Sequence, residues 1–167
     1  MPIAEVSFDL RAGDADYIPL GQFLTAEETT SALRSWTRNQ ELHGDDFRIF
    51  GLDGTGGFAA FWLVRAGRPV AEQPVVFFGG EGEFGVVAPD LSGFLWVLAE
   101  GFGPAEAADE CATAEDAYGE PRAELTAIAE RFVPGGRRPA REIIKAARAE
   151  FPDFEDHILG LCPAEES

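Results

Sequence analysis

Apolar runs and turn residues alternate most clearly between Phe47 and Gly101. Four apolar runs form two pairs around glycine-containing turns: Phe47–Leu52 and Phe58–Val64 around Asp53–Gly57, then Pro74–Phe78 and Phe84–Ala88 around Gly79–Glu83. Glycine adopts the positive φ that tight turns require, and Asp-Gly between two apolar runs is a strong hairpin signal. The pattern therefore predicts two β-hairpins in one sheet.

The segments around these hairpins show the spacing of helices that are apolar on one side. Thr25 and Glu28 form the T-x-x-E pattern of a capping box, which predicts a helix from Ala26 to about Arg38. Apolar residues at helical spacing predict a second helix that begins near Asp90 and ends at Gly101. Three more helical segments are predicted further along the chain: Arg122–Phe132, Ala140–Glu150 and Phe151–Leu161.

Three segments have weaker patterns. Residues 3–10 alternate imperfectly and favour an edge strand or an extended arm. Tyr17–Leu24 contains proline and glycine and is predicted to be a loop that leads into a helix. Pro104–Glu120 is rich in alanine and acidic residues, so it is predicted to be either a weak helix or a connector.

These elements predict an α+β fold with a central, mostly antiparallel sheet flanked by helices. A chain of 167 residues fits one domain, and 46% hydrophobic residues suffice for a sizeable core. We place the core of this single domain, residues 1–167, at about 20–102 and a C-terminal helical extension at about 103–167.

The chain is strongly acidic, with a formal net charge of −17. Residues 1–101 hold 15 acidic and 6 basic residues, and residues 102–167 hold 15 and 7, so the charge is not confined to a tail. Such a field repels nucleic acid and anionic membranes and attracts basic proteins. Solubility alone is the alternative explanation.

Other features of the sequence bear on location. The longest strictly apolar run is Phe58–Val64, too short to span a membrane. The first residues carry Glu5 and Asp9 where a signal peptide needs basic residues. Two cysteines fit a reducing compartment. We therefore predict a cytoplasmic protein.

Two motifs invite a chemical interpretation. Residues 51–57 are rich in glycine, but a phosphate-binding loop needs a following helix and usually a lysine. Here an aromatic strand follows, and the only lysine is Lys145. Glu81 and Glu83 form the second motif, because residues two apart on a strand share a face and their carboxylates could converge.

Acid–base catalysis or metal binding at such carboxylates needs a second anchor, and His43 and His157 lie far away in the sequence. We therefore predict no catalytic residue, no metal ligand and no cofactor. Four acidic residues in the turns and connections of the sheet are the candidate partner contacts: Asp53, Glu72, Glu81 and Glu83. Solvated turn residues are the alternative interpretation of the same four.

The stretch DGTGGFAAFWLV, the segment PVVFFGGEGEFGVVAPDL and the closing SGFLWVLAEG together resemble the SMI1/KNR4 (SUKH) superfamily. The likeness covers about residues 45–102, with a weaker one in the FPDF segment after Glu150. The N-terminal part of the family pattern is echoed only loosely by Tyr17–Leu24, and no Asn-Gly follows it.

The resemblance implies an α+β domain and, for the bacterial members, an immunity protein that neutralises a cognate toxin, in some cases a nuclease. The expected partner is thus a basic toxin domain, and the oligomeric state is not fixed. A regulatory or scaffold adaptor of the SMI1/KNR4 type is the alternative function. A third hypothesis is an enzyme or small-molecule binder that uses Asp53 and the loop of Glu81 and Glu83.

Overall fold

The computed structural model describes residues 18–20, 22–113 and 121–164; the predicted strand at residues 3–10 lies outside these ranges, as do residues 114–120. One antiparallel sheet runs in the order β1-β2-β3-β4-β5, so each strand pairs with its neighbours in the sequence. Its strands are β1 (Ile18–Pro19), β2 (Phe47–Leu52), β3 (Phe58–Trp62), β4 (Val75–Phe78) and β5 (Phe84–Ala88). The predicted α+β class is confirmed.

One α-helix lies between β1 and β2, and the other described α-helices follow the sheet. They are α1 (Ala26–Thr37), α2 (Leu91–Ala99), α3 (Pro104–Ala108), α4 (Ala123–Phe132), α5 (Ala140–Glu150) and α6 (Phe154–Leu161). Two short 3-10 helices lie in connections, at Val70–Glu72 and Glu110–Thr113. The predicted helices of the N-terminal and C-terminal parts are therefore confirmed within three residues at their ends.

Both predicted hairpins are present, and their turns share one geometry. In Asp53–Gly57 the first amide donates to the last carbonyl at 3.0 Å, and in Gly79–Glu83 the same bond measures 2.6 Å. The fourth residue of each turn has a positive φ, +93° at Gly56 and +97° at Gly82. That left-handed backbone favours glycine and characterises three-residue hairpin loops with a bulge.

The central strands are buried on both faces. Every residue of β3 and β4 is buried, and alternate side chains point to opposite sides of a strand. Phe61 and Phe77 belong to a first hydrophobic cluster with α2, whereas Trp62 and Phe78 belong to a second cluster with residues of α1 and α6. The molecule therefore has three layers, with the sheet between two layers of helices.

Helix α1 begins with the predicted capping box. The Thr25 amide donates to the Glu28 carboxylate at 2.8 Å, and the Glu28 amide donates to the Thr25 hydroxyl at 3.1 Å. The inner face of the helix presents Leu33 and Trp36 to the second cluster. The Trp36 indole N–H also donates to the Gly79 carbonyl at 2.8 Å, which fixes the end of α1 to the β4–β5 turn.

The helices after residue 103 are an integral part of the core. Ile143 and Ile144 of α5 are buried in the first cluster, and Phe154 and Ile158 of α6 are buried in the second. The Arg65 guanidinium joins this region to the β3–β4 connection through an ion pair with Glu150 at 2.5 Å. The predicted C-terminal extension therefore completes both faces of the sheet.

The sequence-based elements differ from the structure in two places. The segment Tyr17–Leu24 is not only a loop, because Ile18–Pro19 pairs with β2. A proline is tolerated there since β1 is an edge strand. The predicted strand Phe58–Val64 ends at Trp62, where the Val64 amide turns back to the Trp62 carbonyl at 2.8 Å. Over the described ranges, no helix is long and apolar enough to cross a membrane.

Removing a buried methyl-rich side chain from α5 tests whether the C-terminal helices belong to the core. Ile144→Ala is expected to lower the free energy of unfolding by about 2–5 kcal/mol, because Ile144 is fully buried. Leu159→Ala is the control, with an expected change within about 0.5 kcal/mol, since Leu159 is 53% exposed. Urea denaturation followed by tryptophan fluorescence measures both. If Ile144→Ala shifted only a separate transition at low urea concentration and left the main unfolding transition unchanged, the C-terminal helices would not belong to the common core.

Candidate binding groove

The β4–β5 turn places two of the predicted acidic residues at the start of the edge strand. Glu81 and Glu83 are both exposed. The Glu83 side chain folds over Gly79, where a β-carbon would collide with it, and its carboxylate accepts from the Glu81 amide at 3.1 Å. The two carboxylates therefore do not act as a converging pair, because one of them is engaged with the backbone of its own turn.

A groove of about 620 Å³ begins at this turn and follows the first half of β5. One wall is the end of α3, and the other is the junction of α5 and α6. Its lining residues are Gly82, Glu83, Phe84, Gly85, Val86, Ala108, Asp109, Arg148, Phe151, Pro152, Phe154 and Glu155. A wider depression of about 790 Å³ lies over the solvent side of α1, but its lining is mostly polar helix surface. The groove along β5 is the better-formed concave site.

The floor of the groove is apolar and held by ring contacts. Phe84 lies edge-on to Trp36 with centroids 5.4 Å apart and to Phe154 with centroids 6.2 Å apart. Such edge-to-face aromatic pairs add to the energy of apolar burial and fix ring positions. The groove is therefore preformed by side chains that also belong to the second hydrophobic cluster.

Acidic residues from three separate segments surround this floor. Glu83 comes from the turn, Asp109 follows α3, and Glu155 lies in the first turn of α6. The one basic side chain of the lining, Arg148, donates to the carbonyls of Ala107 and Asp109 at 2.9 and 2.8 Å. The formal charge of the lining is thus negative by two, and its cation is held against the α3 wall.

Asp53 takes a structural position. Its side chain is only 6% exposed. Its Oδ1 accepts from the Thr55 amide at 3.0 Å, the Thr55 hydroxyl at 2.8 Å and the Gly57 amide at 2.7 Å. Glycine-rich residues 51–57 therefore form a hairpin turn closed by this carboxylate. A buried side chain of this kind does not fit the predicted role of a partner contact.

Glu72 lies at the other end of the sheet, in the β3–β4 connection. Its carboxylate is 3.7 Å from the exposed Arg68 guanidinium, and its carbonyl accepts from Arg65. Exposed ion pairs of this geometry contribute little to stability. The four predicted residues are thus not one patch: Glu83 lines the groove, Glu81 lies in the same turn, Asp53 is buried inside a turn, and Glu72 does not line the groove.

Neither described histidine lines the groove. His157 stacks on Trp62 with ring centroids 5.3 Å apart, and His43 is exposed beyond α1. Among the described residues, no three His, Cys, Asp or Glu side chains are grouped so as to hold a metal ion. The geometry that is present is that of a recognition surface with an apolar floor and acidic rims.

Sequence reasoning missed three charged residues of the groove: Asp109, Arg148 and Glu155. They come from segments more than 20 residues beyond the turn, and no local pattern joins them. One signal was available, since the last strand of a hairpin series followed only by helices lies at a sheet edge. It predicts that further binding residues lie on the elements packed beside Phe84–Ala88.

No family model, characterised protein or solved structure matches this chain. The resemblance to the SMI1/KNR4 superfamily therefore stays a prediction, and the groove is the structural feature that bears on function.

The structural position of Asp53 generates a stability prediction. Asp53→Ala is expected to lower the free energy of unfolding by about 1–3 kcal/mol, because it leaves buried turn donors without their acceptor. Asp53→Asn should retain most of the stability, since an amide oxygen can accept the same bonds. Glu81→Ala, in the other hairpin turn, is the exposed control and should be near neutral. Urea denaturation compares the three; equal midpoints for Asp53→Ala and the parent chain would refute the structural role.

Proposed function

We propose that this protein is a non-enzymatic binding protein that captures a basic protein partner and acts in the cytoplasm as an immunity protein against a cognate toxin. The observation that supports this proposal is the preformed groove beside β5, with an apolar aromatic floor and acidic side chains on both walls. The resemblance to bacterial SMI1/KNR4 proteins supplies the biological role.

Long-range electrostatics supports a basic partner. A net charge of −17 creates a field that accelerates the approach of cationic proteins. The carboxylates at the groove then offer oxygen acceptors to arginine and lysine side chains at short range. A nuclease toxin fits these requirements, because an active site that binds phosphates is basic and carboxylates can occupy it.

The packing of the groove supports binding with little rearrangement. Phe154 is buried at its floor, and Phe84 is wedged between Trp36 and Phe154. A surface fixed in this way loses little side-chain entropy when a partner docks, which leaves more of the contact energy for affinity. The acidic side chains at the rim are exposed to an approaching partner.

A regulatory or scaffold adaptor is the alternative role, and it would use the same groove. The two roles differ in the partner: an immunity protein binds a protein that harms the cell, whereas an adaptor binds a harmless one. The product of the gene next to the one that encodes this chain is the partner to test first.

Co-expression distinguishes these roles. If the proposal is right, the neighbouring product arrests growth when produced alone, and this chain restores growth and co-purifies with it. The association rate should fall by about tenfold or more between about 50 mM and 500 mM NaCl, as expected for steering by charge. A harmless partner that binds would favour the adaptor. No complex at about 50 mM NaCl and no rescue of growth would refute the immunity role.

A charge reversal at the groove tests where the partner binds. Glu155→Lys is expected to weaken the complex by about 5- to 30-fold, because it places a cation at a rim that should receive cations. Asp156→Lys is a matched control, since Asp156 is exposed in the same first turn of α6 but does not line the groove. Isothermal titration calorimetry measures both. Equal losses in the two variants would show that only net charge matters and not the groove.

A further inference from the structure

The outer edge of β5 has none of the charged or proline residues that often protect an edge strand. Natural proteins blunt such edges with lysine, proline or charged residues, because unpaired backbone groups recruit other strands. Phe84–Ala88 reads FGVVA and contains none of these residues. The opposite edge of the sheet differs: β2 pairs with β1, and the amides of Leu20 and Leu24 donate to its carbonyls at 2.9 and 3.1 Å.

The register shows which backbone groups of β5 face outward. Antiparallel neighbours alternate between hydrogen-bonded and non-bonded pairs, and Gly79 is bonded to Glu83 at 2.6 Å. Phe84 and Val86 lie one and three pairs further along, opposite Phe78 and Val76. They are therefore in non-bonded pairs, so their amide and carbonyl groups point away from β4.

Phe84 is half-buried and its outward groups open into the groove, whereas Val86 is only 3% exposed. Both Phe84 and Val86 line the groove, and no described residue outside β4 shares a backbone hydrogen bond with them. Further along the strand, α5 packs against β5 and contributes to both hydrophobic clusters. The edge is thus covered by a helix at its C-terminal half and open at its N-terminal half, where it could accept about three residues of an extended chain, roughly 10 Å.

The two walls specify the side chains of an added strand. Neighbouring side chains of a strand point to opposite faces of the sheet. On one side they would meet the α6 wall, with Phe151, Pro152 and Phe154, and on the other side the α3 wall, where Arg148 donates to the Asp109 carbonyl. Glu83 and Glu155 add negative charge at the rims. The apolar α6 wall and the net negative charge of the lining therefore favour an alternation of apolar and basic residues.

We propose that the groove captures an extended segment of the partner, alternating basic and apolar residues, by adding it as a sixth strand beside β5. This inference builds on the proposed binding function and specifies how the groove achieves it. Backbone hydrogen bonds to Phe84 and Val86 supply the register, as in other cases of strand addition, and the walls supply the sequence preference.

The test uses the full chain and a synthetic peptide, acetyl-Arg-Val-Arg-Val-Arg-Val-amide, with acetyl-Glu-Val-Glu-Val-Glu-Val-amide as the charge control. Amide hydrogen exchange is followed by NMR at single residues. The arginine peptide should slow exchange at Phe84 and Val86 by about tenfold or more when it is in excess, because their outward amides gain acceptors. Gly85, whose amide already faces β4, serves as the internal control and should change little. The glutamate peptide should protect neither residue.

Backbone methylation separates strand addition from charge attraction. A strand bonds to its neighbour through every second residue, so N-methylation of either the three arginines or the three valines should abolish binding, and methylation of the other set should be tolerated. The net charge of both methylated peptides equals that of the parent peptide. Equal effects of the two patterns, or binding without protection at Phe84 and Val86, would overturn the proposed strand addition.

The remaining outcomes separate this inference from the proposed function. If the arginine peptide protects Phe84 and Val86 but the neighbouring toxin does not bind, strand addition is supported and the immunity role is refuted. If the toxin binds but the amides of Phe84 and Val86 stay unprotected, the proposed binding function is supported and strand addition is refuted. Protection that grows with protein concentration in the absence of peptide would identify a second copy of this chain as the occupant and likewise overturn the proposal.

Discussion

Burial of β3 and β4 on both faces is the constraint on which the rest of the structure depends. Both strands place large apolar side chains on each of their faces, so neither face can be left to water. Helix α1 cannot cover both faces of the sheet alone. The chain after β5 must therefore return to each of them, and α2, α5 and α6 do so. This requirement ties residues 140–161 to the core.

The same constraint explains the position of the groove. A meander leaves two edges, and the connection before α1 occupies one of them. The helices that return after β5 pass the other edge on both sides, with α3 near Gly85 and α6 near Phe84. Between them the first half of β5 remains uncovered by the described residues. The groove is therefore a consequence of covering both faces with helices that lie on either side of one strand.

Features that depend on residues close in the sequence could be predicted, whereas features that depend on distant residues could not. The capping box of Thr25 and the turn Asp53–Gly57 depend on residues three or four apart, so their composition predicts them directly. The groove depends on Glu83 and Glu155 lining the same surface. These two residues are more than 70 positions apart in the sequence, and only tertiary packing brings both to the groove. Asp53 was misassigned for a related reason: an acid in a turn has the same composition signal whether it faces solvent or closes the turn. Burial decides between these cases, and burial is a tertiary property.

An open edge made of apolar residues is a hazard unless something limits what can pair with it. Here the walls impose that limit, because an incoming strand must fit between α3 and α6 and cannot extend past α5. The acidic rims add a second filter, since they disfavour another copy of a chain with a net charge of −17 and favour a cationic segment. An edge that is short, walled and negatively charged is poorly suited to self-association. It is well suited to one strand of opposite charge, which accounts for an apolar strand between acidic rims.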